Sequence, residues 1–309
     1  MRRPERIVSL IASATEIVDS LGLTDELVGR SHECDHPPRV LPLPMCSSAK
    51  LDVNGTSLEI DERVKQVLRE ATSVYNVDVD LLNELAPTLI ITQTQCEVCA
   101  VSLKDVEAAM CAVVSSQPRI VACEPNWLAD VWSDIDRVAT AAGVPERGRQ
   151  VIENSQLRLA EIERRSQKLA RRPRVACIEW MEPIMAAGNW VPELVKIAGG
   201  ENLFGQAGQH SPWMTWEELV ASEPDVMLVM PCGFDIPRIQ KEWPCLARHP
   251  RWNEIKAVQS GEVYIIDGNQ YFNRPGPRLV ESAEILAEIF HPEVFSFGHA
   301  GVAYVRPTI

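Results

Sequence analysis

The chain has 309 residues, 46% hydrophobic and 24% charged, with a formal net charge of −13 at pH 7. That length supports about two domains with separate cores, and no segment approaches the roughly 18 uninterrupted apolar residues of a membrane span. The acidic balance disfavours attraction to phosphate backbones or anionic lipid, so neither a nucleic acid partner nor membrane insertion is expected.

The first residues read MRRPERIVSLIASATEIVDSLG. The apolar run is short and broken by polar residues, without the apolar core and small-residue cleavage site of a secretory signal. It reads as the first strand and helix of the fold, and a cytoplasmic location is expected. Nine cysteines at scattered spacings fit reduced thiols better than a disulfide framework. Cys111 and Cys177 lie in apolar patterns, where a buried thiol acts as a small hydrophobe.

Apolar runs at Arg6–Ile11, Glu26–Ser31, Thr88–Gln93 and Arg119–Glu124 read as buried strands alternating with segments of helical spacing. They predict a parallel α/β lobe over residues 1–143. From Val144 to Pro173 the chain is highly charged, with no Gly or Pro between Arg149 and Arg172. Ile152, Ser155, Leu159, Ile162, Ser166 and Leu169 recur at three- and four-residue steps, marking one helical face. One long helix is predicted over Pro145–Arg171, a connecting element spanning 144–172. A strut joining two lobes explains it better than a coiled-coil partner, because the apolar stripe is thin and short. Strand patterns resume at Arg174–Trp180, Asp225–Met230 and Glu262–Asp267, separated by TWEELVAS and followed by GPRLVESAEILAEIF. These give a second α/β lobe over 173–309.

Four stretches carry a family likeness: RIVSLIASATEIVDSLG (Arg6–Gly22), LVGRSHECDHP (Leu27–Pro37), LVKIAGGENLFG (Leu194–Gly205) and YFNRPGPRLVESAEILAEI (Tyr271–Ile289). With them the chain resembles the cobalamin-binding and iron-chelate-binding periplasmic proteins of ABC importers, in particular a signal-less cytoplasmic subgroup. The resemblance implies two Rossmann-like lobes joined by one long helix, a helical-backbone solute-binding fold. It also implies a non-enzymatic protein that closes its lobes on a small molecule, here a corrinoid such as cobalamin. Periplasmic relatives dock on a permease through surface acids. A cytoplasmic copy has no access to that face, which leaves a transporter partner open and favours storage, sensing or delivery.

Ligands of open α/β sheets bind beyond the carboxyl ends of the strands. The loops leaving those ends supply His32, Glu33, Cys34, Gln93, Cys96 and Cys99 from the first half. The second half supplies Trp180, Asn189, Trp190, His210, Trp213, Asn269, Tyr271, Asn273 and Arg274. Alternatives stand beside each. Arg274 lies in a Gly-Pro-rich segment that also suits a rigid turn, the tryptophans also suit core packing, and His32 and Cys34 also suit a satisfied polar loop. Where this sequence has Gln93 and Glu33, the periplasmic cobalamin binders present an aromatic residue and a tyrosine.

The Cys96-x-x-Cys99 pair sits between a strand and the helical pattern VSLKDVEAAM. A helix N-terminus lowers a thiol pKa, so a thiol-dependent redox enzyme is one alternative. A second is a metal site built from His32, Cys34, Cys96 and Cys99, with Cys232 or His210 contributing, although paired zinc spacing is missing. The third use is as part of the ligand-binding wall. No Gly-x-Ser-x-Gly, His-Glu-x-x-His, P-loop or Gly-x-Gly-x-x-Gly motif supports another common chemistry.

Overall fold

The computed structural model describes residues 4–70, 74–94 and 116–307. Cys96, Cys99, Cys111 and the helical pattern between them lie outside the described residues. The chain divides into two compact units. Unit 1 comprises Met1–Gly55, Glu59–Pro125 and Ala129–Asn154, and unit 2 comprises Thr56–Leu58, Asn126–Leu128 and Ser155–Ile309.

Unit 1 contains β1 (Ile7–Ser9), β2 (Leu27–Arg30), β3 (Ser47–Ala49), β4 (Tyr75–Val77), β5 (Leu89–Gln93) and β6 (Arg119–Cys123). Four of them form a parallel sheet in the order β2-β1-β5-β6. β1 and β5 are buried along their whole length. That is why they read as continuous apolar runs rather than alternating ones: helices cover both faces of a parallel sheet. β3 and β4 form a separate antiparallel pair. Val8, Leu10, Cys46, Val74, Tyr75, Leu82 and Ile90 make one core cluster that joins this pair to the main sheet. Asp78 caps the Val79–Leu85 helix by accepting from Leu81 N (2.9 Å).

The long charged helix runs over Pro145–Ser166, and the division between units falls inside it, after Asn154. It stops short of the predicted Arg171. Ser166 is 1% exposed, and its hydroxyl donates to the Ile197 carbonyl (2.8 Å), while Lys168 N and Leu169 N close tight turns on Arg165 O and Ser166 O.

In unit 2, β7 (Arg174–Trp180), β8 (Met185–Ala186), β9 (Glu201–Asn202), β10 (Val226–Val229), β11 (Val263–Ile266) and β12 (Tyr304–Val305) form one sheet. Its order is β12-β11-β10-β7-β8, with β9 also on β7; β8 and β12 run antiparallel and the others parallel. The Leu279–Phe290 helix is buried at every position but Glu281. Its two buried carboxylates are engaged: Glu284 accepts from Arg158 (2.6 Å) and pairs with His299 (3.1 Å). Glu288 accepts the backbone N–H groups of Phe297, Gly298 and His299. Downstream, β12 lies along β11, and Arg306 donates to Tyr264 Oη (2.7 Å) and Glu262 (3.1 Å).

Gly199 and Gly200 explain the AGG of the family-like segment. Gly199 has φ +87°, and a Cβ there would meet His291 Nε2 and Ser166 Cβ at 2.9 Å. At Gly200 it would meet the Phe290 ring at 2.8 Å. Among the described residues no helix is long and apolar enough to cross a membrane.

Candidate functional site

In unit 1 the loop after β2 is organised by hydroxyls. His32 Nδ1 lies 2.9 Å from Ser47 Oγ, which also accepts from His32 N (3.3 Å) and donates to Ser31 Oγ (3.2 Å). The Tyr75 ring lies against the imidazole, centroids 5.2 Å apart, and its hydroxyl donates to Glu33 Oε1 (3.0 Å). His32 is half-buried; that burial, and then the Arg30 guanidinium, hold its pKa below the usual value. Cys34 is set apart from this group. Its sulfur is fully buried, accepts from Thr15 Oγ1 (3.0 Å) and lies 4.0 Å from Ser9 O. Gln93 ends β5 and is 2% exposed.

Ser47 and Tyr75 escape the sequence reading, because strands of three residues carry no usable periodicity and the pairing joins positions far apart. Trp127 was missed too, but its signal was present: the PNW segment follows the carboxyl end of β6, the same rule that selected the other loops. Trp127 is 47% exposed.

In unit 2 the predicted residues separate into two kinds. Trp190 is buried, and its indole donates to Phe272 O (2.7 Å). Asn273 spends its amide N–H groups on Met230 O (3.1 Å) and Gly268 O (2.9 Å). Arg274 is buried and donates to Asn269 Oδ1 (3.0 Å). Trp180 donates to Ser57 O (3.2 Å) and packs on Phe234. These side chains fix loop geometry. Tyr271 is half-buried beneath the Arg278 guanidinium, 4.6 Å from its centroid. Asn189 has φ +51° and its buried Oδ1 has no hydrogen-bond partner among the described residues. By contrast His210 is exposed, its Nδ1 3.0 Å from Ser211 O, and Trp213 is 54% exposed. An exposed indole at a strand's carboxyl-end loop is an apolar surface open to a flat ligand.

No group of three or more His, Cys, Asp or Glu is placed to hold a metal ion among the described residues. Burial pushes the Cys46 and Cys245 thiols up to about 12 and raises those of Cys123 and Cys177, which suits packing rather than thiolate chemistry. The redox and metal alternatives both depend on Cys96 and Cys99, outside the described residues.

An uncharacterized ABC transporter substrate-binding lipoprotein of Bacillus subtilis is 24% identical over 302 residues, spanning 95% of this chain and 82% of that protein. A vitamin B12-binding protein of Vibrio cholerae is 24% identical over 283 residues, 91% of this chain and 87% of the relative. Among solved structures, a periplasmic heme-binding protein from Pseudomonas aeruginosa superposes with a TM-score of 0.74 at 18% identity, covering 99% of each chain. The periplasmic vitamin B12-binding protein of Vibrio cholerae gives 0.66 at 20% identity, covering 93% of this chain and 97% of that one. Both share the two-lobed α/β fold. The pattern of the periplasmic binding protein family matches residues 7–270, and the chain belongs to that family.

Proposed function

We propose that this protein is a non-enzymatic binding protein for a corrinoid. The observation that carries the reading is the end-to-end similarity to a vitamin B12-binding protein, 24% identity over 91% of the chain. The surface chemistry agrees with it: exposed indoles at Trp127 and Trp213 suit a large flat ligand, and His32, His210 and Asn189 offer polar contacts. A permease partner would follow if the chain serves an ABC importer, as the name of the Bacillus subtilis relative implies for that protein.

The test is titration calorimetry of the full chain with cobalamin and with cobinamide, using haemin as competitor. Saturable heat at one ligand per chain is expected from at least one corrinoid. No heat from either corrinoid refutes the reading, and binding of haemin alone replaces the ligand.

A further inference from the structure

We propose that His32 supplies an axial imidazole to the cobalt of the bound corrinoid; the proposal rests on the corrinoid reading above. It starts from how the ring is held. His32 Nδ1 lies 2.9 Å from Ser47 Oγ, which also accepts the His32 backbone N–H (3.3 Å). A serine hydroxyl can accept from an imidazole N–H, so with Nε2 bound to a metal the proton required on Nδ1 has its acceptor in place.

The ring is also held before any ligand arrives. Tyr75 packs on it with centroids 5.2 Å apart and an interplanar angle of 52°, and Tyr75 itself is tied to Glu33 Oε1 (3.0 Å). No hydrogen bond reaches Nε2 among the described residues, and His32 is half-buried, so that nitrogen is uncommitted in a partly desolvated setting. A neutral imidazole oriented by a neighbouring acceptor is the donor that mid-row transition metals prefer. The other candidates in this loop are spent. Cys34 sulfur is fully buried against Thr15, and Glu33 receives the Tyr75 hydroxyl. In the step itself, the Nε2 lone pair forms a bond to cobalt and a cobalt-bound water leaves. No proton or electron is transferred.

The experiment uses the full chain without a histidine tag, loaded with cob(II)inamide, whose cobalt lacks an intramolecular base. Binding is measured by calorimetry and coordination by electron paramagnetic resonance. One coordinated nitrogen splits each cobalt line into a triplet, and growth on 15N-histidine turns the triplet into a doublet. We expect the triplet in the wild type, the doublet after labelling, and loss of splitting in both His32→Ala and His32→Gln while cobinamide still binds. Ser47→Ala should weaken cobinamide binding by about tenfold, the low end for removing a partner that orients a metal ligand. Cobinamide bound to the wild type without nitrogen splitting overturns the proposal and leaves the corrinoid reading intact. Splitting that survives in His32→Gln also overturns it. No cobinamide binding by the wild type overturns both together.

Discussion

Replacing Trp190 with alanine should destabilise the protein by about 3–5 kcal/mol, the range for emptying a buried indole site. Trp190 is only 5% exposed, so little of that loss is recovered from solvent. Its indole N–H also anchors Phe272 through the carbonyl at 2.7 Å. Phe272 is fully buried at φ +66°, a left-handed conformation that costs a bulky residue about 1–3 kcal/mol. Two anchors hold it there, the Trp190 indole on its C=O and the Ser282 hydroxyl on its N–H (3.1 Å). Trp190→Phe keeps most of the ring and deletes one anchor, and should cost about 1–3 kcal/mol. Urea unfolding followed by far-ultraviolet circular dichroism measures both. At a slope near 3 kcal/mol/M, the alanine variant should lose about 1 M or more in midpoint. An unchanged midpoint would refute the anchoring argument. A phenylalanine variant as damaged as the alanine variant would show that the hydrogen bond, not the ring, dominates.

Trp213→Ala removes a side chain that is 54% exposed, so stability should stay within about 0.5 kcal/mol while corrinoid affinity falls by about 1–2 kcal/mol; calorimetry showing unchanged affinity removes Trp213 from the ligand surface. Gly199→Ala must place a methyl 2.9 Å from His291 Nε2 and Ser166 Cβ at φ +87°, and should cost about 2 kcal/mol or more, visible as a melting temperature lower by several degrees. Asp134 is buried, which raises its pKa to about 6 against the opposing pull of Arg137. The folded state thus holds this proton more tightly than the unfolded chain: the contribution is full below about pH 4 and lost as pH rises through about 6. Asp134→Asn should flatten the stability profile across that window, and an identical slope in both proteins contradicts the assignment.

β1, β5, β10 and β11, buried at every position, were legible as apolar runs. β7 was expected over Arg174–Trp180 and occupies those residues, with Val175–Ile178 buried between half-buried ends. β3, β4, β8, β9 and β12 are two or three residues long, and only their partners define them. The predicted connecting helix lost its last turn to the capture of Ser166 by Ile197 O, a contact between residues 31 apart. For the candidate site, the carboxyl-end rule selects loops without saying which side chains hold those loops together. Asn273, Arg274 and Trp190 are committed to backbone or side-chain partners, and nothing in the local pattern distinguishes them from Trp213. The surroundings of His32 were illegible for the same reason: Ser47 lies 15 residues away, and Tyr75 reaches Glu33 across 42.

The last strand of unit 2 has a bearing on self-association. β11 is buried at all four positions, and β12 occupies its outer edge through Ile265–Val305 and Ile266–Tyr304 pairing. Arg306 on Glu262 and Tyr264 fastens it there. An apolar strand with an unpaired edge is a template for another chain. A version ending at Gly298 would keep the buried Leu279–Phe290 helix yet bare the row of N–H and C=O groups that β12 covers. Such a trimmed chain should form sheet-edge aggregates at concentrations where the full chain stays dispersed, so those few residues act as a guard against polymerisation as much as a finishing element of the fold.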